Sequence, residues 1–360
     1  MGPVFLALAN SQGPTPIQIS LFHPPFCPYR SCSAHLKPPT NHYSRHGQYH
    51  PKCRSRSVPR FRCKSCNRTY SRQTFRLSFR DHKPHLNLEL LQLLTSGVGL
   101  RQSSRVLKLS RRCLELKART LGAHFEHLNR NLRGPLKDNA CLQMDEIETY
   151  EEKRRERPVT FPIIIETKSR FIIWGESGTL SPRGRMNITR REAIEADSMA
   201  FGPRRDESKE TVRSTLSKAA SMVEVLKNVT VQTDEKSTYP SLLREAFGGD
   251  RLVHQTTSSQ RERTIQNPLF PINQTEAIAR DLLGRLRRES WLVSKKRGFL
   301  DQAFQMLMAW KNYVRPRFNR DKDTPAMIAG LVRRKLRPGE LVGWRQDFGQ
   351  DQLPIVRLVA

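Results

Sequence analysis

The sequence predicts a multidomain chain: a small cysteine-rich module, a helical unit, and an α/β core with a helical C-terminal extension. Three observations carry this expectation. Two short cysteine pairs stand near the start, leucines at helical spacing follow, and strand and helix signals then alternate from 140 to 290.

The 360 residues are enough for two or three domains. With 63 Lys and Arg against 34 Asp and Glu, the formal net charge is +29. Solubility does not require so large an imbalance, and a polyanionic partner explains it, because every neutralised phosphate releases a condensed counterion. Ribosomal, RNA-binding and membrane-surface proteins share this charge pattern. No run approaches the roughly 18 apolar residues that span a bilayer. The apolar start at Met1 lacks a basic region and breaks quickly into Asn-Ser-Gln-Gly-Pro, so residues 1–21 read as a flexible leader and not as a signal peptide. The seven cysteines are an odd number and argue for a metal site over a disulfide framework.

Residues 22–82 form the first module. Cys27-Pro-Tyr-Arg-Ser-Cys32 and Cys63-Lys-Ser-Cys66 are two knuckles separated by a basic insert. Zinc takes four tetrahedral ligands, and two such knuckles supply them while the intervening chain folds into a ribbon. Pro28 and Asn67 suit turns that aim backbone amides at sulfur. Cys53, His35 and His50 are spare ligands at less regular spacing. So small and polar a segment needs its metal to fold, and Arg54, Arg56, Arg60, Arg62 and Arg68 make it a DNA clamp.

Residues 85–135 read as three helices. Leu88–Leu94 is ended by Gly97 and Gly99, Arg101–Leu107 is short, and Ser110 is the N-cap of a third running from Arg111 to Leu121, stopped by Gly122. Leu114, Ala118 and Leu121 fall on an inner face. A short helix, a tight turn and a basic-faced helix match a helix-turn-helix, which would place Arg101, Arg105, Arg111, Arg112, Lys117 and Arg119 on DNA. An ordinary three-helix unit with a solvated basic face is the other reading.

Residues 140–296 hold the α/β core. Strands at 142–150, 159–166 and 171–174 come at hairpin spacing, then a polar insert from 175 to 208, a helix over 210–227, a strand over 228–234, a helix over 239–247 and a strand over 251–254. Three antiparallel strands, a helix and then β-α-β-α describe a ribonuclease H-like fold. Asp145 then lies on the central first strand and Asp234 at the end of its neighbour. Two such carboxylates can bridge a pair of Mg²⁺ ions. On the next helix, Thr275, Ile278, Ala279, Leu282 and Leu286 share the face expected to pack on the sheet, with Asn273, Glu276, Arg280 and Arg287 opposite. Arg285, Arg287, Arg288, Lys295, Lys296 and Arg297 then make a basic run around Trp291, which grips nucleic-acid backbone and can stack on a base. Residues 297–360 form a helical, basic extension.

Several stretches match a family. Val58-Pro-Arg-Phe-Arg-Cys-Lys-Ser-Cys66, Met144-Asp-Glu-Ile147, Thr233-Asp-Glu235, Asn267-Pro-Leu-Phe-Pro-Ile-Asn273, the segment from Gly284 to Lys295, and Asn312-Tyr-Val-Arg-Pro-Arg-Phe318 resemble bacterial insertion-sequence DDE transposases with an N-terminal zinc ribbon and helix-turn-helix. The resemblance covers residues 22–335. It implies structural zinc, two catalytic magnesium ions, terminal inverted repeats and target DNA as double-stranded partners, a homo-oligomer on DNA, and a cytoplasmic, nucleoid-associated location. One departure stands out. The third carboxylate of such enzymes has a basic residue seven positions later, and counting back from Arg280 gives Asn273, not an acid. Glu276, one turn on, is the expected third ligand ahead of Asn273. A zinc-dependent DNA-binding regulator without catalysis, or an impaired transposase remnant, is the alternative.

Overall fold

The computed structural model describes residues 22–29, 31–50, 57–136, 140–184, 186–224, 228–287 and 290–348. The expected leader, Cys53, Arg54, Arg56, Arg288 and the end of the C-terminal extension lie outside them. The chain divides into two compact units, residues 1–75 and 76–360.

The first unit holds a short helix α1 (Ser33–Leu36) and strands β1 (Tyr43–Tyr49), β2 (Val58–Cys63) and β3 (Thr69–Ser71). The strands form one antiparallel sheet in the order β1-β2-β3. Its core is small: Cys27, Cys32, Ala34, Phe61, Cys63, Tyr70 and Phe75 are buried, with Phe22, Phe26 and Tyr43 packed against them. The aromatic rings meet edge to face, as at Tyr43–Phe61 with centroids 5.4 Å apart, the arrangement favoured by ring quadrupoles.

The second unit opens with α2 (Leu86–Thr95), α3 (Leu100–Leu107) and α4 (Arg111–Leu132). Lys108 turns the chain in the left-handed region at φ 49°, and Ser110 Oγ caps α4 by accepting from the Cys113 N–H at 3.3 Å. The expected stop at Gly122 is not one, since α4 runs on to Leu132. Gly122 serves packing instead. A β-carbon there would lie 2.4 Å from Cβ of Gln302, so the glycine lets a second helix cross closely. Farther along α4, Asn129 donates to the Gln305 carbonyl and to its Oε1, both at 2.9 Å.

Strands β4 (Cys141–Tyr150), β5 (Pro158–Glu166), β6 (Ile172–Gly175), β7 (Gly178–Thr179), β8 (Val229–Thr233) and β9 (Leu252–Thr256) make a mixed sheet. Its order is β6-β5-β4-β8-β9, with β7 on β5. β4, β5 and β6 are antiparallel, while β8 runs parallel to β4 and β9 parallel to β8. β4 is therefore central, and β5 is buried at every residue from Val159 to Glu166, as a strand covered on both faces must be. The segment expected as a polar insert contains a helix, α5 (Ile188–Phe201), capped by Asn187 and ended at Gly202, where φ is 84°. Helices α6 (Ser208–Ala220), α7 (Tyr239–Phe247) and α8 (Phe270–Leu282) follow. Then come α9 (Arg297–Tyr313), which carries Gln302 and Gln305, and the short α10 (Pro325–Ile328) and α11 (Pro338–Gly343). α6 ends short of the expected 227, and residues 225–227 lie outside the described ones. Among the described residues no helix is long and apolar enough to cross a membrane.

Candidate functional site

Two centres gather chemistry-bearing side chains. In the first unit the sulfurs of Cys27, Cys32, Cys63 and Cys66 all lie within 4.8 Å of one another. Cys27 and Cys66 are 3.8 Å apart and Cys32 and Cys63 3.7 Å. A zinc tetrahedron with bonds of about 2.3 Å has edges of about 3.8 Å, so these residues fit such an ion and could hold one. The knuckle geometry explains the approach. Asn67 adopts φ 57° and its N–H returns to the Cys63 carbonyl at 2.9 Å. Burial works against ionising Cys63, but the N–H groups of Cys66 and Ser65 outweigh it and bring the thiol down to about 7. Burial raises the Cys27 and Cys32 thiols, a cost that a cation would remove. His35 and His50 do not belong to the convergent set: His35 Nδ1 lies 2.7 Å from the Cys27 carbonyl, and His50 is exposed. Of the ribbon arginines, Arg62 and Arg68 are exposed, while Arg60 is tied to Thr69 Oγ1 at 3.1 Å.

The second centre lies where β4 and β8 part. Their parallel pairing ends at Gln143 opposite Gln232. Asp145 stands two residues beyond that pair on β4, and Asp234 comes just after the end of β8, close enough for its charge to act on Asp145. The carboxyl ends of parallel strands are where open sheets offer room for ligands. Below the acids, Gln143 donates to Gln232 Oε1 at 2.7 Å and Gln232 to Gln255 Oε1 at 2.9 Å, a ladder across three strands. Burial pushes the Asp145 carboxyl up to about 6, and the charges of Asp234 and Glu146 add to it. The Glu146 N–H, 2.7 Å from Oδ1, and Arg263 pull the other way.

Four residues near this centre were missed by the sequence reading. Arg263 sits in an exposed loop with no periodicity to mark it. Glu146 follows Asp145 and so points to the opposite face. There it accepts from Thr160 Oγ1 at 2.5 Å, Lys236 Nζ at 2.5 Å and Tyr239 Oη at 2.8 Å. Lys236 is two residues past Asp234, so this knot ties the loop carrying Asp234 to the strand carrying Asp145. The Glu146, Lys236 and Tyr239 spacing around the two acids was the available signal.

Glu276 requires a correction. It was expected on the exposed face of α8, yet it is 3% exposed, and Ile272, Thr275, Glu276 and Ala279 form the buried face. Ile272 sets the phase: its N–H donates to Gln143 Oε1 at 2.9 Å, which turns residues i+3, i+4 and i+7 from it toward the sheet. Glu276 therefore shares the sheet face of Asp145, with Oε2 4.0 Å from Arg280 Nη1. Among the described residues the cysteines form the only convergent set of three or more potential ligands. Asp145, Asp234 and Glu276 are not gathered as a three-ligand magnesium site in this structure, and Asn273 stays half-buried at the start of the helix.

Two cations expected on DNA are structural. Lys117 is buried and its Nζ reaches both Asp81 oxygens at 2.7 Å, the Lys83 carbonyl at 2.8 Å and Asn87 Oδ1 at 3.0 Å. It is one turn from Leu114 and Leu121 on the inner face, which a count of charge alone overlooks. Arg285 is half-buried, donates to Ser294 Oγ at 2.9 Å, and has its pKa lowered by burial. The others are at the surface or half-buried. Arg101, Arg105, Arg111, Arg112 and Arg119 are exposed on α3 and α4, and Arg287, Trp291, Lys295 and Lys296 are exposed after α8. Arg280 is half-buried against Glu276.

The chain matches no protein-family model and no curated protein sequence.

Proposed function

We propose that the chain is a DDE-type transposase that binds the ends of its mobile element and catalyses strand cleavage and strand transfer. The observation that carries this reading is that Asp145 and Asp234 come close enough for their charges to act on each other, where the central β4 parts from β8. In this reading the sheet order β6-β5-β4-β8-β9 is that of a ribonuclease H-like core, the cysteine cluster is a structural zinc ribbon, and α3 and α4 are a helix-turn-helix. The basic surfaces supply phosphate contacts, which fits the net charge of +29. Magnesium ions bound at the two aspartates would activate a water or 3′-hydroxyl and stabilise the leaving oxygen. The chain's own part is to keep two carboxylates together: Glu146, through Lys236, fastens the Asp234 loop beside the strand of Asp145.

Incubating the protein with Mg²⁺ and a supercoiled plasmid bearing its own flanking ends tests this. Nicked and linear products are expected, and intact plasmid under conditions where the ends are bound would refute the reading. A second reading, a DNA-binding regulator without catalysis, is favoured by one observation: among the described residues only the four cysteines form a convergent set of three or more ligands. Binding without nicking is the result that would select it.

A further inference from the structure

Trp291 is fully exposed. The other three tryptophans are not: Trp174 and Trp344 are buried and Trp310 is half-buried. An indole left entirely in water forgoes the burial that normally holds large aromatics inside, so it points to a partner. Its loop is pinned on both sides. Leu292 inserts between two glycines; a β-carbon on Gly99 would lie 2.6 Å from its side chain and one on Gly284 2.4 Å. The Leu292 N–H donates to Ser290 Oγ at 3.0 Å, and the Ser294 carbonyl accepts from the Glu152 N–H at 3.0 Å. Trp291 is thus held out by anchored neighbours.

Beside it opens a cavity of about 600 Å³, within the range of ligand pockets. Leu100, Phe299 and Met306 line it with apolar surface, and Arg101, Arg111 and Lys295 bring positive charge to the same lining. Glu115 is the one acid in that lining, and it is spent on Arg111 at 2.9 Å. Lys295 meets Glu152 only in an exposed pair, which is weak. An apolar hollow, an exposed aromatic face and surrounding cations are complementary to a flat ring carried on a phosphate chain.

We propose that Trp291 and this cavity receive an unpaired nucleobase of DNA. The indole offers a stacking face, the cavity takes the ring and its sugar, and Arg101 and Lys295 meet the flanking phosphates. A base inside a duplex has both faces covered, so only an unstacked one can enter. The proposal rests on the reading of the chain as a protein that acts on DNA.

The test titrates the full chain with oligothymidylate of about ten nucleotides and, separately, with a blunt mixed-sequence duplex. Binding is followed by anisotropy, and the accessibility of tryptophan by acrylamide quenching. The single strand is expected to protect the accessible tryptophan and the duplex to bind without protecting it. Trp291→Ala should weaken single-strand binding about 5- to 150-fold, the loss of one base–aromatic stack. It should leave duplex binding unchanged, and Trp291→Phe should restore most of the single-strand affinity. Single-strand binding with undiminished quenching, or with wild-type affinity in Trp291→Ala, overturns the proposal. Failure to bind either DNA at low salt would instead remove the DNA-acting reading beneath it.

Discussion

In the first unit four sulfurs already stand within 4.8 Å of one another, whereas among the described residues of the second no three carboxylates converge in that way. The difference follows from charge. Thiols are neutral when protonated and can crowd together without a cation. Ionised carboxylates repel one another: burial pushes the Asp145 carboxyl up to about 6, and the charges of Asp234 and Glu146 add to that rise. A thiol site can therefore be complete before its metal arrives, while a carboxylate site closes only around one. Scale separates the regions too. Among the described residues the cysteine unit has seven buried hydrophobic core residues, and the α/β unit packs an apolar core from Leu77 to Trp344. A metal held by the four cysteines would give the first unit a cross-link that its small core lacks.

The largest expected effect breaks the comparison at the cysteines. Cys63→Ser should eliminate the zinc proposed at the four cysteines and unfold residues 22–75, while unit 76–360 keeps its cooperative transition. Elemental analysis and limited proteolysis read both. Zinc retained after the change would assign the site to other ligands. The next tests which cations of the second unit are structural. Lys117→Met leaves the half-buried Asp81 without its cationic partner, and should lower unfolding stability by about 3 kcal/mol without changing salt-dependent DNA affinity. An unchanged melting curve with weakened DNA binding would return Lys117 to the interface.

Asp145 gives a prediction with a sign. Its folded pKa is raised, so its contribution to stability is fully present below the unfolded value near 4 and is lost as pH rises through about 6. Metal-free Asp145→Asn should thus be more stable than the parent at pH 7, by about 1–3 kcal/mol, with the gain vanishing near pH 4. Denaturant melts at the two pH values measure it, and an equal effect at both would deny the strained carboxylate. The smallest effect concerns the knot behind the acids. Lys236→Met should raise the Mg²⁺ needed for half-maximal cleavage about 10- to 100-fold, as loss of an outer partner does, with DNA affinity unchanged. Unaltered Mg²⁺ dependence would leave Lys236 with no positioning role.

The contrast also governs what was legible in the sequence. The knuckles declare themselves by spacing, and the alternating strands placed Asp145 on β4 and Asp234 after β8 because period-2 patterns survive without tertiary knowledge. Helix phase was harder. Thr275 and Ala279 were placed on the packed face of α8, but Glu276 was put opposite, since a buried acid looks like a surface one until its neighbours are known. Gly122 looked like a stop, because what it clears space for, Gln302, is 180 residues away in the chain. Lys117 belonged to the charge count until Asp81 and Asn87 were seen around it. Arg263 was invisible for the same reason, and of the Glu146 network only its spacing around the two acids showed, because its contacts join distant segments.

The most direct measurement of the central claim is strand cleavage by Asp145→Asn and Asp234→Asn on the plasmid carrying the flanking ends. Each exchange removes one negative charge with little change in shape. Both variants are expected to bind the ends with parental affinity and to give no Mg²⁺-dependent product above background. Cleavage at the parental rate by either one would contradict the account, because the chemistry would then lie outside the place where β4 and β8 part.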